Sequence, residues 1–336
     1  MQAASAGLQP TSTNLRKVTL TMTPKMEDPA TALSHDLVQT LDALNGGVHP
    51  GYRPAHAKGI MLRGAFTPAP GASSLTRAPH AARKTHVTVR FSDSTGVPTI
   101  PDNDPNATPK GMAIRFHLAE HVHTDIIGHS HDGFPVRTPE EFLTMLRAVA
   151  ASGPGAPKPS PIEVFLGGHP AALKFVTAAK PNPASFARES FFGVNAFKFV
   201  NREGRERYGR YRIRPQAGVE HLDAAAAAAK SANYLFDEMR ERTATGPVKF
   251  DIVVQLAEPG DQVDDATANW PADRAEVTFG SIVLTEVAPE DDHDARRIIF
   301  DPLPRVDGIE PSGDPLLNTR ADVYLLSGRR RRAAAK

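Results

Sequence analysis

Apolar and polar residues alternate along much of the chain, and this two-residue period predicts β-strands. The stretches that mix β-branched and aromatic residues with polar ones are 60–69, 86–94, 111–119, 124–129, 195–201, 206–216, 248–258 and 277–287. The sequence NREGRE between two of them predicts a hairpin turn. Because the connections are short, we expect antiparallel pairing, in a barrel or a sandwich with helices outside it.

Two helices are predicted in the first half of the chain from their end signals. The first begins at Pro29 and ends before Gly46. In the second, Thr138 and Glu141 have the spacing of a capping box, and Pro139 occupies the first turn. Both helices have apolar positions at helical spacing, so each is expected to pack one face on the rest of the fold.

Two more helices are predicted in the second half. An alanine run favours one continuous helix from a cap at Asp223 to Gly246. Another helix is predicted over 314–332. We find no strong internal boundary and expect a single domain over 1–336, with 1–25 a loosely ordered N-terminal segment.

Composition narrows the classes of function. The formal net charge of +1 gives no indication of nucleic acid or an anionic membrane as a partner. The absence of cysteine excludes disulfides, thiolate catalysis and zinc–thiolate or iron–sulfur sites. No apolar run reaches the roughly 18 residues that span a bilayer, and the N-terminus lacks the pattern of a signal peptide. We therefore expect a cytoplasmic protein without nucleic-acid or membrane partners.

One cluster of candidate residues is rich in histidine: His117, His121, His123, His129 and His131. Imidazole suits zinc, copper or nickel, and histidines two residues apart on a strand share a face. However, no complete set of ligands with the spacing of a catalytic zinc site is present. Partly solvated histidines around a loop are favoured over a metal-binding module.

Two other places could carry chemistry. The segment YRPAHAKG, which is typical of neither helix nor strand, holds Arg53, His56 and Lys58 close together in sequence. Arg320 and Tyr324 lie four residues apart and therefore on one face of the last predicted helix. A guanidinium at that distance favours the phenolate form of tyrosine, which is a ligand for ferric iron, as in catalase haem. Taken alone, this pair is more often a simple surface contact.

Taken together, the segments resemble those of haem catalases, in the same order. RPAHAKG resembles the distal-histidine segment, and VRFSDSTG, TPKGMAIRFH and DIIGHSHDGFPVRTPEEF resemble the strands and helix that follow. SFFGVNAFKFVN matches a later strand, and GIEPSGDPLLNTRADVY resembles the proximal segment. The resemblance covers about residues 45–331 and implies an α+β fold, an antiparallel β-barrel of about eight strands with surrounding helices that enclose haem.

The resemblance also implies roles for individual residues. Tyr324 would be the axial ligand of the ferric iron of haem b, and Arg320 would hold it as phenolate. His56 would be the distal acid–base group, which moves a proton between the two oxygens of a peroxide. Ser92 matches the residue that orients this histidine.

The remaining implied roles concern the porphyrin. Arg53, Arg90 and Arg331 match the arginines that pair with the haem propionates, and Phe142 matches an aromatic ring over the porphyrin. From the residues alone, core packing of a helix is the simpler interpretation of Phe142. For Arg331 it is a solvated tail, because RRRR at 329–332 is a run of charge.

Two differences from ordinary catalases indicate which type of catalase-like protein the sequence resembles. The sequence is much shorter and stops soon after Arg331, so it lacks most of the N-terminal arm, the wrapping segment and the C-terminal domain. We expect a more open haem edge and a smaller assembly, a homodimer.

Where catalases have asparagine, this chain has His129, with His131 as the alternative distal partner. The charge of a histidine changes near neutral pH, so we expect weak dismutation of peroxide.

These features resemble the small catalase-related peroxidases. We therefore expect a haem-dependent peroxidase that reduces hydrogen peroxide or organic hydroperoxides and oxidises small organic electron donors. A true small catalase is the alternative, and an isomerase of fatty-acid hydroperoxides is a third enzymatic possibility. A non-catalytic haem carrier is the alternative from another class, but a carrier has no need of His56 with Ser92.

Overall fold

The computed structural model describes residues 28–289 and 297–334, which form one antiparallel sheet with helices around it. The predicted N-terminal segment 1–25 lies outside the described residues. The strands are β1 (Gly59–Pro68), β2 (Thr85–Ser92), β3 (Gly111–Ala119), β4 (Val122–His129), β5 (Phe191–Phe192), β6 (Phe197–Val200), β7 (Glu206–Pro215), β8 (Val248–Leu256), β9 (Glu276–Val287) and β10 (Ile309–Pro311). The α-helices are α1 (Pro29–Leu44), α2 (Ala72–Leu75), α3 (Pro139–Ala150), α4 (Pro161–Gly168), α5 (Pro170–Thr177), α6 (Ala224–Ala228), α7 (Tyr234–Thr245) and α8 (Leu316–Ala334).

The sheet closes into an eight-stranded barrel. Its strand order is β10-β6-β7-β5-β4-β3-β2-β1-β9-β8. An additional pairing of β7 with β8 closes the sheet into a ring. Strand β7 pairs along one edge with both β6 and β5, so β6 and β10 extend outside the closed ring. The expected antiparallel barrel with surrounding helices is confirmed.

The barrel interior is filled by apolar side chains from alternate strand positions. On β2, Val87, Val89 and Phe91 are buried in the main core, so Thr88 and Arg90 between them point to the outer face. The buried ring of His80 packs among three phenylalanines of this core, Phe66, Phe116 and Phe279.

Strand register brings four residues of the outer face into one row. Gly59 pairs with Ser92, Ser92 with Gly111, and Gly111 with His129. This row runs across β1 to β4 at one end of the barrel. The row therefore brings Ser92, at the end of β2, to the same end of the barrel as His129, at the end of β4.

Helices α1, α3 and α8 pack together through a second apolar cluster. Leu37, Leu143 and Leu146 are its buried members, and Val323 of α8 packs against them. The capping box of α3 is confirmed, because the Glu141 amide donates to Thr138 Oγ1 at 3.2 Å and the Thr138 amide donates to Glu141 Oε2 at 3.2 Å. No helix within the described residues is both long and apolar enough to cross a membrane.

The predicted continuous helix from Asp223 to Gly246 is wrong, because two helices, α6 and α7, replace it. Asp223 does cap α6, accepting from the Ala226 amide at 2.7 Å. The helix is interrupted near Ala232. The Ala232 carbonyl accepts from the Asp102 amide and from Lys58 Nζ, both at 2.9 Å. These distant partners outweigh the helix propensity of the alanine run.

Candidate active site

His56 lies in a strained backbone conformation at the end of the row on the outer barrel face. Its φ is +57°, and Thr95 opposite it has φ +65°. The two segments are joined because the Ala57 amide donates to the Thr95 carbonyl at 2.9 Å. Arg90 also donates to the Ala57 carbonyl at 3.0 Å. Left-handed residues other than glycine are uncommon and cluster at functional sites, where surrounding contacts hold them in place.

The hydrogen bonds of His56 fix which ring nitrogen carries the proton. Nδ1 lies 3.0 Å from the Asp93 carbonyl oxygen, which can only accept, so Nδ1 is the protonated nitrogen. The Ser92 hydroxyl lies 3.1 Å from the same Nδ1. Nε2 is therefore the deprotonated nitrogen, able to take a proton from a bound molecule.

The His56 ring lies deep in the protein but keeps part of its surface accessible. Its pKa is lowered to about 4, mainly by desolvation and then by the positive charge of Arg90. Its accessible surface is nevertheless that of a half-buried residue. A deep side chain that keeps accessible surface faces an internal space, and the ring is neutral there at neutral pH.

Two glycines of the row make room for the polar groups. A Cβ on Gly111 would lie 2.6 Å from Ser92 Oγ and 2.8 Å from His56 Nδ1. A Cβ on Gly59 would lie 2.2 Å from a guanidinium nitrogen of Arg90. Any side chain at either position would displace the histidine or the arginine. These two glycines were missed as site residues from the sequence.

Arg53, Arg90 and Arg331 converge on one side of His56 without carboxylate partners among the described residues. Arg53 and Arg331 both donate to the Ile298 carbonyl, at 3.1 and 3.0 Å. Burial and mutual repulsion lower the pKa of Arg53 well below its usual value, and burial lowers that of Arg90 to about 9. The Nε atom of Arg331 is buried and has no hydrogen-bond partner in the described structure. Buried cations without counter-charges are costly, so this cluster fits an anionic ligand.

Arg331 is 5% exposed, so the interpretation of this residue as part of a solvated tail is wrong. Helix α8 continues through the charge run and turns Arg331 inward, where Ser327 one turn earlier accepts from it at 2.6 Å. Its neighbour Arg330 instead pairs with Asp42 of α1 at 2.8 Å.

Arg320 and Tyr324 interact one turn apart on α8, as predicted. Arg320 NH2 donates to the Tyr324 hydroxyl at 3.2 Å, and its NH1 donates to Asn195 Oδ1. Asn195 in turn donates to Asp314 Oδ2 at 2.8 Å. The chain Asp314–Asn195–Arg320 fixes the guanidinium, which would stabilise a phenolate at Tyr324. Asn195 and Asp314 carry no sequence signal that separates them from ordinary turn and cap residues.

His129 pairs with Gly111, the strand residue that lies against the His56 ring. Burial, His56 and Arg320 lower the pKa of His129 to about 3. The His131 ring instead packs edge-on against Phe175, with ring centroids 5.0 Å apart. The expectation that the charge of His129 changes near neutral pH is therefore wrong, because desolvation by burial, together with the nearby Arg320 guanidinium, keeps the ring neutral.

Phe142 is half-buried and packs on the Phe134 ring, at a centroid distance of 5.3 Å. It also belongs to the apolar cluster that contains Val323, the residue before Tyr324. Phe142 therefore joins two apolar clusters, and its role over the porphyrin stays a prediction.

Lys58 points away from the arginine cluster, so the three polar side chains of its segment do not converge. Lys58 Nζ forms an ion pair with Asp102 and lies 3.9 Å from Asp93. Lys110 Nζ, which is fully buried, pairs with Asp93 at 2.7 Å. This ionic network lies directly behind His56, since Asp93 supplies the carbonyl that holds the ring. From the sequence we did not identify Asp93, Asp102 or Lys110 as part of the site.

The histidine cluster does not form a metal centre. Among residues 28–289 and 297–334, no group of three histidine or acidic side chains is arranged to hold a metal ion. His117 pairs across the sheet with His86 and His123 on the outer face, and its Nε2 lies 2.9 Å from the Thr88 hydroxyl.

The residues of the site fit a dianionic porphyrin that carries ferric iron. The uncompensated charge of the arginine cluster and the orphaned Arg331 Nε fit the carboxylates of two propionates. Tyr324, held by Arg320, is an oxygen ligand of the kind that ferric haem accepts. The half-exposed His56 with a free Nε2 has the properties of a distal proton acceptor.

A closed antiparallel barrel that carries a neutral histidine, an arginine-bound tyrosine and a cluster of arginines characterises the haem catalase class. The family model described as Catalase matches residues 20–335. The chain is 36% identical over 295 residues to the catalase-related peroxidase of Mycolicibacterium paratuberculosis, covering 86% of this chain and 92% of the relative. It is 35% identical to the catalase-related peroxidase of Synechococcus elongatus, covering 89% and 88%. The chain belongs to the catalase family.

The fold agrees with that of a solved catalase. Catalase A from Saccharomyces cerevisiae superposes with a TM-score of 0.74 over 88% of this chain and 64% of that one, at 21% identity. Membership of the family implies haem as cofactor and peroxide as substrate.

Proposed function

We propose that this protein is a haem b peroxidase, which reduces hydrogen peroxide or organic hydroperoxides and oxidises small organic electron donors. The observation that carries the proposal is the convergence of a neutral His56 and the Arg320–Tyr324 pair with three arginines without carboxylate partners, of which Arg90 and Arg331 are buried. Two relatives that match along nearly their whole length are named catalase-related peroxidase, which supports it.

Haem b would be held by Tyr324 on its iron and by Arg53, Arg90 and Arg331 on its two propionates. When bound, haem supplies the redox chemistry, because it takes up oxidising equivalents from peroxide and gives them to a donor. The protein would supply a ligand oxygen from Tyr324, the proton transfers and the access.

His56 would act as the proton shuttle. Its Nε2 would take a proton from one oxygen of a bound peroxide, and the resulting imidazolium would return it to the other oxygen. The Asp93 carbonyl accepts from Nδ1, and the Ser92 hydroxyl lies 3.1 Å from the same nitrogen, so the ring would keep its orientation in both states. A neutral starting state is required for this role, and the low pKa of His56 provides it.

His129 is the residue that favours peroxidase over catalase activity. It stands where catalases have an asparagine that helps to hold the second peroxide, and its ring is larger. Because the imidazole is neutral, it can still donate one hydrogen bond. We therefore expect some oxygen production, at a level below that of peroxidase turnover.

The test is oxygen evolved from hydrogen peroxide by the haem-loaded protein, with and without an oxidisable dye. Little oxygen with rapid dye oxidation supports the proposal. Near-stoichiometric oxygen that the dye barely reduces would make the protein a working catalase, and neither product would leave a haem carrier. Haem-loaded His56→Ala is the matched control, because it keeps the cofactor and removes the proton shuttle.

A further inference from the structure

A cavity of about 340 Å³ opens on the surface beside the arginine cluster. Its walls include Arg53 and Arg331, which also belong to that cluster, together with Val48, Tyr52 and Arg330. The cavity therefore adjoins the propionate side of the haem site and connects it with solvent. We call it the Tyr52 cavity.

The outer wall of the Tyr52 cavity is apolar and exposed. Val48 is 58% exposed and Tyr52 is 52% exposed, although both are large side chains. Within the described residues, the Tyr52 ring has no aromatic neighbour, and Pro50 and Pro54 add rigid apolar surface. An exposed tyrosine with prolines beside it offers a face on which a planar ring can stack.

The loop that forms this wall is fixed in shape. Asn45 at the end of α1 accepts from the Gly96 amide at 2.9 Å and donates to the Pro54 carbonyl at 3.0 Å. His49 Nε2 donates to the Asn45 carbonyl at 3.1 Å. The loop is thus held at its start and end, so a ligand would meet a preformed surface.

The charge of the cavity is positive. Arg53, Arg330 and Arg331 line it, and the lining carboxylate is Asp42, which pairs with Arg330. Because Arg330 at the mouth is paired with Asp42, its charge is compensated. Two propionates would leave one positive charge of the adjoining cluster Arg53, Arg90 and Arg331 without a counter-charge. This arrangement favours an anionic or neutral ligand over a cationic one.

We propose that the Tyr52 cavity is the docking site for the electron donor, and that it takes small aromatic donors that carry a carboxylate or sulfonate. The volume lies at the low end of the roughly 300–1,000 Å³ typical of small-molecule sites, enough for one substituted ring. The inference rests on the proposed peroxidase function. Two phenols each give one electron and one proton, so ROOH and two ArOH yield ROH, water and two phenoxyl radicals.

The experiment uses two phenols with the same ring and opposite charge, 4-hydroxyphenylacetate and tyramine, with the haem-loaded protein. Wild type should show the lower KM for the anion. Val48→Glu should raise the KM for the anion about fivefold, the effect of one nearby charge, and Val48→Lys should raise the KM for tyramine instead. Tyr52→Ala should raise both KM values. Val219→Glu is the matched control, because Val219 is 49% exposed and does not line the cavity.

A second readout does not depend on turnover. Calorimetric titration with 4-methoxyphenylacetate, which has no phenolic proton to give, should show binding that Val48→Glu and Tyr52→Ala weaken and Val219→Glu leaves unchanged. The rate of the first reaction with peroxide, measured without donor, should be equal in wild type and Val219→Glu, since Val219 lies outside the cavity and does not touch His56.

The outcomes separate the inference from the function on which it rests. If phenols are oxidised but the Val48 and Tyr52 variants behave like Val219→Glu in both KM and titration, the docking site is wrong and the peroxidase stands. If no phenol is oxidised but the methoxy analogue binds with the expected variant dependence, the peroxidase assignment fails and the binding site stands.

Discussion

A Cβ atom added to Gly111 would lie 2.8 Å from Nδ1 of His56. The distance is shorter than real Cβ contacts, and the neighbouring Ser92 hydroxyl at 2.6 Å leaves no direction in which the ring could yield easily. Strand β3 and the segment that carries His56 therefore pack closely at this point. The position of the His56 ring, the proposed proton shuttle, depends on Gly111 having no side chain.

Gly111→Ala should therefore fold and bind haem but react slowly with peroxide. We expect a loss of about 100-fold, the lower end of the contribution of a positioned acid–base group. Stopped-flow measurement of the haem spectrum after mixing with peroxide gives the rate. Gly167→Ala, in α4 with no atom within 4 Å of the new Cβ, is the control and should react like wild type. Equal rates for both variants would show that His56 needs no such fit.

The pH dependence of the peroxide reaction should report the low pKa of His56. Desolvation and Arg90 lower this pKa to about 4, so the ring stays neutral as the pH falls past the ordinary histidine value of 6.5. The rate should thus hold constant from about pH 8 to about pH 5 and fall only as the ring becomes protonated below that. A midpoint near the ordinary histidine value would contradict the buried, neutral state. His56→Gln should show a low rate without this midpoint.

Tyr324 and Arg320 should control haem retention rather than folding. Tyr324→Phe removes the proposed ligand oxygen, and Arg320→Met removes the group that donates to it. We expect Arg320→Met to weaken haem affinity about 10–100-fold and Tyr324→Phe to weaken it more. Transfer of haem to apomyoglobin measures both. Tyr208→Phe on β7 removes a hydroxyl away from the site and should retain haem normally; a similar loss in this control would point to general destabilisation.

Much of the fold and part of the site could be predicted from the sequence because they depend on local patterns. Alternation identified the long strands, and the end signals of α1 and α3 were sufficient to place those helices. The pair Arg320–Tyr324 was accessible because helical spacing alone puts residues four apart on one face. Lys58 and Asp102 show the limit: their contacts with Ala232 break a predicted helix from more than 100 residues away, which no local pattern reports.

The missed site residues are ones whose role exists only in three dimensions. Gly59 and Gly111 matter because register sets them opposite Ser92, not because of any turn signal. The neutral state of His129 likewise follows from burial beside His56 and Arg320, whereas an isolated histidine would titrate near neutral pH.

His129→Asn should shift the balance from donor oxidation towards oxygen production. The change introduces the amide that catalases carry and removes a bulky ring next to His56. We expect the oxygen yield per peroxide to rise about tenfold, the scale of one well-placed hydrogen bond. An oxygen electrode, with and without dye, measures it. His131→Asn is the control, since its ring packs on Phe175. No change in either variant would show that His129 does not limit dismutation.

Lys110→Met should destabilise the protein strongly, because Asp93 would remain buried with only Lys58 at 3.9 Å as a cation. Breaking a buried pair from one side costs about 3 kcal/mol, whereas removing both charges costs less. Urea unfolding should show a smaller loss for Asp93→Asn with Lys110→Met than for Lys110→Met alone. Lys158→Met removes a pair whose lysine is 81% exposed and should change little. Because Asp93 also holds the His56 ring, the peroxide rate of folded Lys110→Met should fall, and an unchanged rate would separate the ionic network from the proton shuttle.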